Sequence, residues 1–297
     1  MLSLAAFRYR NVLAASGGPI ERVEVAETSI LGERYFLANA YLTGALAGER
    51  RKNLYSQANG SGTDRSPMVA RFKAVSEALE RWAHWQAHTG PDRNRYGFDV
   101  DPSSNGIAAF PGLLARQARA SALEEATERF NLLNWWEGRL PATVGESPWP
   151  GVTAVTIRSQ APGIAVILFK RTKEGFIAYG HAGGADFRAA GHKAAAEMER
   201  HEQVVRRFAE THGGRIDGQL PADAHPLERR GLYFAHETGH ARFLERLQTP
   251  TRATAELSVA YDGPIPGPWS RYADVWRVVY APPSRRFLSM DETYFML

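Results

Sequence analysis

Ser121-Ala122-Leu123-Glu124-Glu125-Ala126-Thr127-Glu128-Arg129 is the stretch from which the rest of the chain can be read. Ser121, Glu124, Glu125 and Glu128 fall at i, i+3, i+4 and i+7, adjoining positions on one face of an α-helix. Three carboxylates this close repel one another, by about 0.2–0.5 kcal/mol per exposed pair and by more where water is excluded. A cation is the natural offset, and magnesium suits oxygen donors and binds beside phosphates. The motif has an echo upstream, because Lys73-x-x-x-Glu77-x-x-Glu80-Arg81 matches Ser121-x-x-x-Glu125-x-x-Glu128-Arg129. A degenerate copy follows as His192-x-x-x-Ala196-x-x-Glu199-Arg200. The irregular spacing of the copies argues against a solenoid and for one helix type reused around a common centre. Spacing alone admits a plainer reading, in which Lys73, Glu77 and Arg81 form a solvated salt-bridge ladder.

Outward from these motifs, three helices are expected. The first runs from Pro67 to His84, with Met68, Phe72, Val75, Leu79 and Trp82 as its apolar stripe and Asp64, Ser66 and Pro67 as start signals. The second runs from Pro111 to Trp136, using Leu114, Ala118, Ala122 and Leu133, and stops at Gly138. The third runs from Ala189 to Glu210, with Gly213 and Gly214 as terminators. Strands are expected at Val152 to Ile157, Ile164 to Phe169, Phe176 to Tyr179 and Val275 to Tyr280. The second of these is apolar at nearly every position, as a strand buried on both faces would be. Helices and strands interleave without a βαβ rhythm, which predicts an α+β, layered fold. Asp99 to Gly106 and Gly263 to Pro268 are short enough to be loops, so residues 1–297 read as a single domain.

Composition narrows the function classes. The 297 residues carry no cysteine, which removes disulfide scaffolds, thiolate metal sites and cysteine nucleophiles, and fits a reducing cytoplasm. The formal charge of +4 is small and spread out, so bulk nucleic-acid binding is not expected. No apolar run approaches the roughly 18 residues of a membrane helix. Arg8 and Arg10 interrupt the mildly apolar start, unlike a secretory signal.

The ordered set of motifs resembles the YcaO family. Gly60-Ser61-Gly62, Ala70 and Ser76-Glu77-Ala78-Leu79-Glu80-Arg81-Trp82 look like that family's glycine-led first helix. Asn105-Gly106-Ile107-Ala108-Ala109 with Ser121 to Arg129 looks like its second segment, and Trp135, Trp136, Arg139 and Pro141 like the ending of that segment. Gly180 to Glu197 is similar to the third, and the likeness covers about residues 55 to 250.

The resemblance implies an ATP- and Mg2+-dependent enzyme with its nucleotide site between helices packed near mixed or antiparallel sheets. Such enzymes activate a backbone amide of a ribosomally made peptide by phosphorylating its oxygen, giving an azoline, thioamide or amidine. By motif position it implies Glu77, Glu80, Glu124 and Glu128 as metal ligands. Ser121, Glu125 and Arg139 would be nucleotide contacts, with no catalytic side chain assigned. It also implies a peptide substrate and a partner protein that binds the leader or activates the enzyme, and is compatible with a homodimer. The sequence departs from the family pattern at Lys73, where a Ser is common, at Arg200, where a Gln is expected, and in lacking a proline-rich tail. These departures leave open a catalytically silent scaffold that assists a partner enzyme.

A rival motif, His236-Glu237-Thr238-Gly239-His240, matches the zinc-peptidase pattern, with Glu256 or Asp262 as the only third ligand at a plausible distance. The adjacent Trp135 and Trp136 read as core and rim packing. His181 and His192 read as structural.

Overall fold

A computed structural model describes residues 3–44, 46–47, 57–211, 226–252, 255–282, 284–289 and 291–295. In chain order the elements begin with α1 (Ala5–Arg8), β1 (Ile20–Ile30), β2 (Glu33–Leu42), β3 (Gly60–Asp64), α2 (Pro67–Thr89), β4 (Ile107–Phe110) and α3 (Arg116–Trp136). They continue with β5 (Ala142–Glu146), β6 (Thr153–Ile157), β7 (Ile164–Arg171), β8 (Ile177–Gly184), α4 (Phe187–Thr211), α5 (Pro226–Ala235) and α6 (Glu237–Gln248). The last are β9 (Ser258–Pro264), β10 (Asp274–Ala281) and α7 (Arg285–Leu288). The fold is α+β, with three antiparallel sheets ordered β1-β2-β3, β4-β10-β9 and β5-β6-β7-β8. Two compact units emerge. One holds the N-terminal strands, Gln57–Ala126 and Ser258–Ala281; the other holds Thr127–Leu257 and the residues from Pro282 on.

In the first unit, β1 and β2 form a hairpin whose two-residue turn, Leu31–Gly32, has positive φ at both positions (50° and 84°). That geometry matches the right-handed twist of the strands and normally demands glycine or asparagine, so Leu31 is the strained half. Helix α2 packs across the sheet through Ala70, Ala74, Ala78 and Leu79, all fully buried. The close approach is built on glycine: a Cβ on Gly60 would lie 2.2 Å from the Ala74 carbonyl oxygen, and one on Gly62 2.2 Å from that of Ala70. Ser66 caps α2 by accepting the Val69 N–H, with Pro67 in the first turn, as expected from the sequence. The helix runs five residues beyond the expected end at His84.

In the second unit, Ile164 to Leu168 of β7 are fully buried, as the unbroken apolar run predicts. Helix α4 lies against β8 in the way α2 lies against β3. A Cβ on Gly180 would sit 2.2 Å from both the Ala194 carbonyl oxygen and the Met198 nitrogen. Equivalent residues recur 120 positions apart: Gly60 and Gly180, Ala74 and Ala194, and the lysines Lys73 and Lys193. The lysines donate to the Thr63 and Gly183 carbonyls respectively. Ser66 and Asp186 are the matching start signals, since Asp186 accepts the Ala189 N–H. This register moves the expected third copy of the helix motif by one residue. Arg200, not Glu199, is the counterpart of Glu80 in sequence, and His201 that of Arg81.

The expected opening of the second long helix at Pro111 is corrected. Pro111 accepts the Leu4 N–H, Gly112 bridges to Ser3, and the helix begins at Arg116. Leu114 is therefore an exposed loop residue, whereas Ala118, Ala122 and Leu133 are buried. Gly213 and Gly214 lie outside the described residues. Gly263 and the following Pro264 end β9 instead of opening a loop. No helix among the described residues is long and apolar enough to cross a membrane.

His201 shows how tightly the second core is closed. Its Nδ1 accepts the Tyr179 N–H at 2.9 Å and its Nε2 donates to the Gly231 carbonyl at 3.0 Å, so the ring is neutral. Burial pushes its pKa down to about 4 from 6.5. A depressed pKa makes the contribution whole above pH 6.5 and lost as pH falls towards 4, by about 3 kcal/mol in all. Urea unfolding at pH 7.5 and 4.5 should show the wild type losing that much more stability than His201→Gln, whose amide can keep both bonds. Equal losses would rule the linkage out.

Candidate functional site

In the first unit Glu77 and Glu80 of α2 and Glu125 of α3 are fastened to strand backbone. Glu77 Oε2 accepts the Ser61 N–H of β3 at 2.9 Å, and its Oε1 lies 3.5 Å from Arg81 Nη2. The ladder reading thus holds only for Glu77 and Arg81, because Lys73 pairs with Asp64 at 2.7 Å. Glu125 Oε2 accepts the Ile107 N–H at 3.1 Å, and Glu80 accepts the backbone N–H of Ala109. Ile107 and Ala109 are two residues apart, so both N–H groups point from the same edge of β4, away from its partner β10. Glu80 and Glu125 therefore cap one free strand edge side by side. Burial and the Glu125 charge, in that order, hold the Glu80 carboxyl well above the usual range, and Arg81 opposes them only in part.

The approach to this edge is rigid. Gly106 has φ +64°, and a Cβ there would lie 2.1 Å from the Val278 carbonyl oxygen. Fully buried Arg277 places its guanidinium 3.5 Å from the Phe98 ring centroid and donates to the Asp101 and Ser103 carbonyls. Burial lowers its pKa to about 10. The loop it fastens presents Ser104, whose hydroxyl accepts Arg81 Nη1 at 3.3 Å. Ser121 and Glu124 lie half-buried on α3 in the same unit.

In the second unit Glu128 is held at both oxygens. Oε1 is 2.6 Å from His181 Nδ1, and Oε2 accepts the Gly183 N–H at 2.8 Å. Burial alone would push its carboxyl up, but the His181 bond and charge with the Gly183 N–H hold it below the usual range. His181, taken from the sequence as structural, is thus the direct partner of an expected metal ligand. Arg139 follows the end of α3, with Nη1 3.2 Å from Asn134 Oδ1 and Nη2 paired to Glu137. Trp135 and Trp136 are buried among Phe234, Phe243 and Phe295, core packing as expected. His192 meets Trp149 edge-on.

The zinc motif is taken apart by its local structure. His236 is the N-cap of α6 and its ring accepts the Thr238 N–H, Glu237 pairs with Arg171, and His240 Nδ1 is 2.6 Å from the Tyr179 hydroxyl. Asp262 is gripped by Arg119 and Trp276, while Glu256 is in no named element. Among the described residues no three His, Cys, Asp or Glu converge as a metal cage. Zinc requires at least three protein ligands, whereas magnesium is ordinarily held by one or two carboxylates plus phosphates and water. The Glu80–Glu125 pair fits the second description: oxygen donors only, fixed by backbone, with mutual repulsion that a divalent cation would relieve.

The structure of YcaO from Methanopyrus kandleri bound with AMPPCP and Mg2+ superposes on this chain with a TM-score of 0.52. The match covers 91% of this chain and 88% of that one, at 14% sequence identity. The fold is YcaO-like. No family model matches the sequence, and no curated protein matches it.

Proposed function

We propose that the chain works as one YcaO-like domain that uses ATP and Mg2+ to activate a peptide backbone amide. The observation that carries this reading is the pair of backbone-anchored carboxylates, Glu80 and Glu125, within a fold shared with a nucleotide-bound YcaO. By motif position Glu77, Glu80, Glu124 and Glu128 are the proposed metal ligands, used in ones and twos with phosphate and water. Glu125, proposed as a nucleotide contact, lies beside Glu80 where it can share a cation. Magnesium would neutralise phosphate charge, which is what phosphoryl transfer chiefly requires. Ser121 and Arg139 would contact the nucleotide, Arg139 offering planar donors to phosphate oxygens. A Cys, Ser or Thr side chain, a sulfide or an amine adds to the amide carbon, and the former carbonyl oxygen takes the γ-phosphate. That oxygen then departs with inorganic phosphate, leaving an azoline, thioamide or amidine. A peptide substrate and a separate leader-binding partner belong to the same proposal.

Phosphate release from ATP by the purified protein, with its peptide where known, tests the reading. Release should need Mg2+, stop with chelator, and fall on the order of 100-fold in Glu128→Gln. Calorimetry on the wild type is the stricter check: no ATP binding in the presence of Mg2+ would sink the proposal.

A further inference from the structure

Glu137 is a buried carboxylate just beyond the C-terminal end of α3, and three side chains converge on it. Oε1 accepts from the Tyr294 hydroxyl at 3.0 Å and from the Ser284 hydroxyl, while Oε2 pairs with Arg139 Nη2. Tyr294 has a single hydroxyl proton, and the carboxylate is a stronger acceptor than the Leu133 carbonyl, 3.4 Å away. Ser284 Oγ in turn accepts the Phe287 N–H at 3.0 Å, capping α7. The side chain of Glu137 is 7% exposed and that of Arg139 38%. The anchor is thus sealed in while the Arg139 side chain is partly open to solvent.

The backbone explains why Arg139 lands there. Gly138 turns at φ +81°, and the Arg139 and Leu140 N–H groups both return to the Asn134 carbonyl. The guanidinium then spends two of its five N–H donors on fixed acceptors, Asn134 Oδ1 and Glu137 Oε2. A planar cation held at two points has one orientation, the condition for binding an anion without paying to order the side chain.

We propose that Glu137 is a positioning residue for Arg139 and that Ser284 and Tyr294 keep its carboxylate in place, making the C-terminal segment a support of the phosphate contact. This rests on reading Arg139 as that contact. The segment has other moorings: Arg230 donates to the Asp291 carbonyl at 2.7 Å and the Phe287 carbonyl at 3.2 Å, and Phe295 is fully buried. Tyr294→Phe therefore removes the bond to Glu137 without releasing the chain.

The test is a double-mutant cycle on ATP affinity, measured by calorimetry with Mg2+ on the full chain, with thermal unfolding in parallel. Tyr294→Phe and Glu137→Gln should each weaken ATP binding about tenfold, the usual reach of an outer-shell partner. Tyr294→Phe should leave the unfolding temperature within a few degrees, and neither change should weaken binding further in an Arg139→Ala background. ATP bound equally by all variants, or losses that persist in that background, would overturn this inference alone. Failure of the wild type to bind ATP would overturn it together with the functional reading on which it rests.

Discussion

Glu80→Gln should stabilise the metal-free protein and inactivate it at once. Glu80 shares the free edge of β4 with Glu125, and burial together with that neighbouring charge disfavours its ionised form. A glutamine has the shape of the protonated acid and can still accept the Ala109 N–H, so the variant escapes the repulsion at no packing cost. At pH 8 without metal, the gain should be about 1 kcal/mol, read as a rise in unfolding temperature. The carboxylate pair that would hold magnesium is then gone, and metal-dependent phosphate release should fall on the order of 100-fold. Added Mg2+ should raise the unfolding temperature of the wild type and barely move that of the variant. A destabilised variant that still responds to Mg2+ would mean that the carboxylate is there to hold the strand.

Gly180→Ala should cost the second unit about 3 kcal/mol or more. The added methyl would lie 2.2 Å from two backbone atoms of α4, the Ala194 oxygen and the Met198 nitrogen, and neither can rotate aside. Strand β8 would have to lift from the helix, and with it His181 and the Gly183 N–H, which hold Glu128. Gly145→Ala is the matched control, with no atom within 4 Å and no left-handed backbone, and should change stability by less than about 0.5 kcal/mol. A Gly180→Ala protein that unfolds at the wild-type temperature would contradict the seating of β8 on α4.

Elements that announce themselves locally were legible. The Ser66–Pro67 start and the unbroken apolar run of β7 appear as read. Of the expected α2 stripe Val75, Leu79 and Trp82 are buried, whereas Phe72 is half-buried and Met68 is 61% exposed, because the helix turns its alanines, Ala70, Ala74 and Ala78, to the sheet. Elements that depend on distant partners were not. Strand β1 carries Glu21, Arg22, Glu24 and Glu27 at irregular spacing and is mostly exposed, so it lacks a clear alternation and the hairpin with β2 is what defines it. Strand β4 is four residues long, and β10 defines it. Pro111 has the chemistry of a helix start, but its carbonyl and the following glycine are claimed by Leu4 and Ser3, more than 100 residues earlier in the chain.

The candidate site divides along the same line. Sequence by itself determined which carboxylates share helix faces, because a 3.6-residue period converts spacing directly into direction: Glu77 with Glu80, and Glu124 and Glu125 with Glu128. Only the tertiary structure decided what each carboxylate faces. Glu77, Glu80, Glu125 and Glu128 each take a backbone N–H from a strand, Glu128 gains His181, and Arg139 is tied to a carboxylate that Ser284 and Tyr294 hold in place. The reason is physical: a helix's face follows from local geometry, but the partner of a buried charge is whichever unsatisfied donor the folded chain brings within 3 Å, and no periodicity encodes that distance.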